Sequence, residues 1–162
     1  MAARSFMRAP LRRHDAVAVA GLRSFQAGDE EALGVLMLRA YQGTVDDEGE
    51  TLEQAHAEIR KTVEGEYGPF VPHCSKVIER HGHLASATLV TLFQDRPFVA
   101  FTFTAPEHKR EGLARACMQA AMAELAAGDE HELRLVVTLA NEPACRLYAG
   151  LGFVEEPRKA NA

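Results

Sequence analysis

Apolar residues recur along this chain with two periods, and the switches between them mark out the elements. Residues 16–25, AVAVAGLRSF, are rich in apolar positions and run into turn formers, which predicts a first strand. Residues 26–29, QAGD, read as a turn with Asp29 as a helix N-cap. In EEALGVLMLRAY, Leu33, Leu36, Met37 and Ala40 recur at helical spacing and predict an amphipathic helix. An acidic loop, residues 43–50, follows. Thr51 and Gln54 then form a capping box for LEQAHAEIRKTVE, whose Leu52, Ala55, Ile59 and Val63 share one face. Gly65, Gly68 and Pro69 end that helix.

The second half of the chain starts with extended segments. Residues 74–79 are a weak strand signal, whereas LASATLVTLF (84–93) and PFVAFTFT (97–104) are clear ones. In the latter, Val99, Phe101 and Phe103 alternate with Ala100, Thr102 and Thr104. Turns at His81-Gly82 and at residues 95–97 make the three a meander. A helix is predicted over residues 112–127 and a strand over 132–139. Asn141 caps a short helix with Pro143 in its first turn. Ala144, Leu147, Tyr148 and Leu151 form its apolar face, Gly152 its C-cap, and Phe153-Val154 a last short strand. The order β-α-α-β-β-β-α-β-α-β predicts a mixed α/β layer architecture with helices on both faces of one sheet.

Composition narrows the classes. At 162 residues, 47% hydrophobic, the chain suits one domain, residues 16–162, with an ordinary core. A formal charge of −5 speaks against a nucleic-acid partner, and no apolar run reaches the length of a membrane span. Cys74, Cys117 and Cys145 match no zinc spacing, so no metal is expected and three free thiols fit a reducing cytoplasm. The first 15 residues hold four Arg and no acid before Asp15, with a Pro at position 10, and read as a flexible basic tail.

One junction stands out. PEHKREGLARA, residues 106–116, places a basic, glycine-bearing turn between a strand and a helix. A helix N-terminus exposes unpaired N–H groups and partial positive charge, and a glycine lets an anion come close. Lys109, Arg110 and Arg115 add charge at the same place. The pattern is neither a Walker loop nor a dinucleotide fingerprint, so taken alone it fits either a solvated turn or a phosphate site.

Lys109-Arg110-Glu111-Gly112-Leu113-Ala114 resembles the (Gln/Arg)-x-x-Gly-x-(Gly/Ala) signature of the GNAT superfamily of acyl-CoA-dependent N-acetyltransferases. Downstream, Asn141 to Phe153 resembles that family's Asn-x-x-Ala-x-x-Leu-Tyr-x-x-x-Gly-Phe element. The resemblance spans about residues 17–154 and implies a GNAT-like, mainly antiparallel sheet. It implies acetyl-CoA as cosubstrate, with its pyrophosphate on the backbone amides of residues 110–115. Phe103 and Thr104 would meet the pantetheine arm where strand 97–104 splays from strand 132–139, with Asn141 and Tyr148 also at the cofactor. Two departures are visible. Lys109 lacks the planar fork of the usual Arg. The chain also stops soon after Phe153, so either the family's last strand is missing or the N-terminal tail or a partner covers that edge.

Acyl transfer to an amine needs amine deprotonation, oxyanion stabilisation and help for the departing thiolate. Tyr148 resembles the family tyrosine that donates to the sulfur, and it also suits a core aromatic. The base is not evident, because PFVAFTFT carries no carboxylate; Glu107, His81, His83 and His108 read as loop or surface groups. The acidic loop, flanked by Tyr41 and Tyr67, reads either as an attractor for a cationic amine or as a solvated helix cap. The expected function is N-acetylation of a small-molecule or peptide amine in a ternary complex, in the cytoplasm, with a second copy as a candidate partner. The alternative is a non-catalytic acyl-CoA-binding or sensing domain on the same fold.

Overall fold

In the computed structural model, which describes residues 3–15 and 18–157, the elements are β1 (Arg4–Pro10), β2 (Leu22–Ser24), α1 (Glu30–Tyr41), α2 (Leu52–Glu64), β3 (Lys76–Arg80), β4 (His83–Phe93), β5 (Arg96–Thr104), α3 (Leu113–Ala127), β6 (Glu132–Thr138), α4 (Glu142–Gly150) and β7 (Val154–Glu155). The strands form one seven-stranded sheet in the order β2-β3-β4-β5-β6-β1-β7. Every neighbouring pair is antiparallel except β5 and β6, which run parallel. The mixed, mainly antiparallel sheet with helices on both faces is the architecture the pattern predicts.

Two clusters hold the layers together. On one face, Leu33, Leu36 and Met37 of α1 and Ala55 and Ile59 of α2 pack on Val77, Ala87, Leu89 and Phe103. On the other, Met118, Met122 and Leu125 of α3 and Tyr148 of α4 pack on Val90, Val99, Leu133, Leu135 and Val137. A fully buried side chain of this size contributes roughly 1.5–3 kcal/mol. Thr51 accepts from Gln54 N–H and Gln54 answers on Thr51 N–H, so the predicted capping box of α2 is present.

The N-terminal segment corrects the sequence reading. Residues 4–10 are not a flexible tail; they form β1, which inserts between β6 and β7. Seven residue pairs, from Arg4↔Thr138 to Pro10↔Glu132, bind it to β6, and two bind it to β7. Met7 and Ala9 are buried, whereas Phe6, Arg8 and Pro10 are exposed. That period-two alternation is the signal the arginine-rich composition masked. Pro10 falls at the strand's last position, where its missing N–H costs least. The open question at the sheet edge is thereby answered: the N-terminal segment covers β6, and the two-residue β7 becomes the edge.

The first predicted strand, residues 16–25, shrinks to Leu22–Ser24. Residues 16 and 17 lie outside the described residues. Gly21 turns the chain with φ +79, and its carbonyl accepts from Glu79 N–H, so extended pairing with β3 begins only at Leu22. Asp29 does not cap α1. Its carboxylate instead accepts from Gln26 N–H and from the Arg23 guanidinium, which holds it below the usual carboxylate range although burial alone would raise it.

The face assignment along β5 also changes. Val99 packs with α3 and α4, whereas Phe101 and Phe103 pack with α1 and α2. The register shifts between Leu89/Val90 and their partners Phe101 and Val99, leaving Ala100 as an extra residue. Such a bulge bends the strand and reverses its alternation. It sits where β5 leaves β6.

Candidate functional site

β5 and β6 share a single ladder pair, Phe98↔Arg134. Beyond it the two strands diverge, and their C-terminal halves wall a cleft of about 1370 Å³. Val99 to Thr104 form one wall; Leu135 to Thr138 and α4 form the other. Parallel strands that stop pairing leave unpaired backbone groups along both walls, which suits an extended, amide-bearing ligand arm.

The turn before α3 closes one end of the cleft. Arg110 and Gly112 both adopt left-handed backbone conformations, φ 68 and 76. Alternation of this kind curls successive N–H groups toward one point, forming an anion-binding nest. Among the described residues, the N–H groups of Arg110, Glu111, Gly112, Leu113, Ala114 and Arg115 have no protein acceptor; the first helical bond is Ala116 N–H to Gly112 C=O. Added space at Gly112 is open, so the glycine serves its backbone angle and the approach of a ligand. Lys109, Arg110, Gly112, Leu113, Ala114 and Arg115 all line the cleft, as do Phe103, Thr104, Asn141 and Tyr148. Glu111 does not; its carboxylate turns to His108, 2.8 Å from Nδ1. Phe103 contributes backbone, because its side chain is buried under α1 against Tyr41, ring centroids 6.0 Å apart.

α4 carries the groups at the centre. Asn141 Oδ1 accepts from Ala144 N–H at 3.2 Å, which caps the helix and fixes the amide. Two turns on, Tyr148 packs against Phe153 and is 7% exposed. Its hydroxyl has no hydrogen-bond partner among the described residues, yet the residue lines the cleft. Burial, then the nearby Asp46 charge, pushes the Tyr148 phenol well above its ordinary value, so it stays protonated. Tyr41, across the cleft, is raised by the same causes together with Tyr148 itself.

The end away from the nest is acidic: Asp46, Glu48, Glu50 and Glu58 line it, with Arg4 and Lys61 as the nearby cations. Sequence reasoning missed two features here. Arg4 reaches the cleft because β1 pairs Arg4 with Thr138, and its guanidinium lies 3.7 Å from Glu48. Asp46 folds back onto the opposite wall, accepting from Thr138 Oγ1 at 2.8 Å and from Asn141 Nδ2 at 2.9 Å. No local pattern could reveal a bond across more than 90 residues of chain.

Of the remaining candidates, His108 lines the cleft beside Glu111, whereas Glu107, His81, His83 and Tyr67 do not. Glu107 pairs with Arg39 at 2.6 Å, which holds it below the usual carboxylate range and makes it a poorer base. His81 and His83 flank the β3–β4 turn; Tyr67 donates to Glu58, which pushes its phenol up to about 12. Burial pushes the Cys117 thiol up to about 12 and Cys74 up to about 11, as expected of structural thiols. Among the described residues, no group of His, Cys, Asp and Glu could hold a metal, and no helix is long and apolar enough to cross a membrane.

Solved structures of known proteins share this fold. A GCN5-related N-acetyltransferase from Sphaerobacter thermophilus superposes with TM-score 0.74 at 18% identity, covering 94% of this chain and 48% of that one. A ribosomal-protein-alanine N-acetyltransferase from Brucella melitensis gives 0.62 at 19% identity, covering 81% and 82%. The aminoglycoside N-acetyltransferase AAC(6')-Iy, in complex with CoA, gives 0.65 at 15% identity, covering 87% and 91%. The chain spans about half of the Sphaerobacter protein and 61% of a further acetyltransferase from Novosphingobium aromaticivorans. A comparison with curated protein sequences finds no match. The sequence itself matches the Acetyltransferase (GNAT) family over residues 31–153, most of the chain, and the protein therefore belongs to that family.

Proposed function

We propose that the chain transfers the acetyl group of acetyl-CoA to a primary amine by direct attack in a ternary complex. The observation that carries this reading is the run of six acceptor-free N–H groups, residues 110–115, at the mouth of a cleft that leads between β5 and β6 to Tyr148. Those groups, with Lys109, Arg110 and Arg115, suit a pyrophosphate. The diverging strands suit the pantetheine arm, with Phe103 and Thr104 lending backbone and the second Nδ2 hydrogen of Asn141 left to donate.

In the reaction the amine loses a proton to water in the open end of the cleft. Its lone pair then forms the N–C bond to the thioester carbonyl, the C–S bond breaks, the nitrogen's second proton leaves to water, and the thiolate takes up its proton from solvent. An ordinary thiol titrates near ~8.5. Tyr148 is held above its ordinary 10.0, so full proton transfer to the thiolate would run uphill. Its hydroxyl therefore acts by donating a hydrogen bond to the departing sulfur, where negative charge develops.

A second reading, a non-catalytic acyl-CoA-binding domain, draws on the absence of a carboxylate along β5 and on the Arg39 pairing of Glu107. Two measurements divide the readings. Acetyl-CoA at a hundred times its Kd raises stability by about 2.7 kcal/mol in either case. Only the enzyme releases free thiol in an amine-dependent manner, so binding without such release across a broad amine panel would leave the second reading standing.

A further inference from the structure

We propose that Asp46 anchors the acceptor's ammonium group, and that the acceptor is an aliphatic primary amine, cationic in solution. The inference deepens the acetyltransferase reading and rests on it for the meaning of the cleft.

Asp46 differs from the other carboxylates of the α1–α2 loop. Asp47 accepts from Gly43 N–H and Gly49 N–H and so holds the loop's own shape. Glu48 lies 3.7 Å from Arg4, and Glu50 accepts from Glu48 N–H. Asp46 serves neither purpose. It reaches across the cleft and is gripped at both oxygens by neutral donors, Thr138 on Oδ1 and Asn141 on Oδ2. Among the described residues it has no ion-pair partner. A half-buried carboxylate held only by neutral groups lacks a counter-ion.

A second observation points to the same spot. Tyr148 is more than nine-tenths buried, lines this cleft, and has a hydroxyl without a partner among the described residues. Asp46 is near enough for its charge to act on both Tyr148 and Tyr41. One carboxylate and two neutral phenols thus face a common space. An alkylammonium brings one positive charge and three N–H donors, which answers that set in both charge and number of bonds. The grip on Asp46 comes from the end of β6 and the N-cap of α4, the two elements flanking the thioester slot. An ammonium held there is next to the carbonyl it must attack once it has given a proton to water.

The test uses the full chain loaded with CoA. Calorimetric titration is run with butylamine, 1,4-diaminobutane and lysine amide, and with aniline as the uncharged amine. Wild-type protein binds at least one alkylamine, and Asp46→Asn binds it about tenfold or more weakly, as loss of a charged hydrogen-bond partner implies. Aniline binding and the acetyl-CoA thermal shift stay within about twofold of wild type and a degree or so, respectively, because neither meets the Asp46 charge. Asp46→Glu, which keeps the charge, recovers part of the alkylamine affinity. Equal weakening for alkylamines and aniline would mark Asp46 as a merely structural strut and overturn the proposal. So would unchanged alkylamine affinity in Asp46→Asn, or a wild-type protein that binds none of the alkylamines. Thiol release is read separately. Ammonium binding that depends on Asp46 but yields no thiol leaves the anchor standing and removes the acetyltransferase activity.

Discussion

Met7→Ala is the sharpest test of the sheet. If residues 4–10 were a solvated tail, the change would move stability by no more than about 0.5 kcal/mol. In the structure Met7 is 7% exposed, sits opposite Leu135 on β6 and Glu155 on β7, and belongs to the cluster containing Leu133, Val137, Tyr148 and Phe153. Truncation of a buried Met removes its transfer free energy and leaves a cavity, about 2–5 kcal/mol in total. The site lies one strand from the sheet edge, where collapse is easier, so the lower half of that range, roughly 2–3 kcal/mol, is expected. For a chain of this size that is a fall in Tm of about 4–12 °C. Urea unfolding followed by far-UV circular dichroism measures it, with Arg13→Ala as comparison. The Arg13–Asp129 pair is 2.8 Å long but highly exposed on both sides, so its loss costs about 0–1 kcal/mol. A Met7→Ala midpoint that coincides with wild type would refute the placement of β1 between β6 and β7. The position matters beyond stability, because the same strand carries Arg4 to the acidic end of the cleft.

Other outcomes follow from the same fold. Tyr148→Phe keeps the packed ring and removes a hydroxyl that bonds to nothing among the described residues. Stability should hold within about 0.5 kcal/mol while amine-dependent thiol release falls about a hundredfold, and unchanged turnover would remove Tyr148 from the reaction. Gly112→Ala places a Cβ in open space but forces a left-handed backbone, costing about 1 kcal/mol; acetyl-CoA affinity measured by titration should weaken more than Tm falls. Asp29 and Glu156 are both held below their ordinary values of 3.8 and 4.5, Glu156 chiefly by its bonds to Arg134. Depressed carboxyl pKa values stabilise the fold above those ordinary values, and the contribution is lost as pH falls through the lower folded ones. Urea midpoints should therefore drop below about pH 4.5, and Arg134→Ala should flatten part of that drop; a midpoint that does not change between pH 6 and pH 3 would contradict it.

Local signals carried far along this chain. Helical spacing in EEALGVLMLRAY, the Thr51–Gln54 box, the glycine turn at 112 and the Asn141 cap all concern groups within four residues of each other, and each is present as read. The same locality made the nest legible, since its donors are consecutive amides. Two local readings gave way to longer-range contacts. Asp29 bonds Arg23 and Gln26 instead of α1, and the bulge at Ala100 moves Val99 to the opposite face from Phe101.

What the amino-acid order determined by itself was the elements from α1 onward, the layered α/β class and the glycine turn before α3, because those depend on period and on neighbouring groups. What the tertiary structure alone decided was the strand order and the make-up of the acidic end of the cleft. β1 lies between β6 and β7, and the pairing of residue 4 with residue 138 leaves no trace in either segment. Asp46 becomes distinct from Asp47 and Glu48 only when the loop meets Thr138 and Asn141. Side-chain chemistry is written in the sequence, but which charges stand unpaired is a property of three-dimensional proximity.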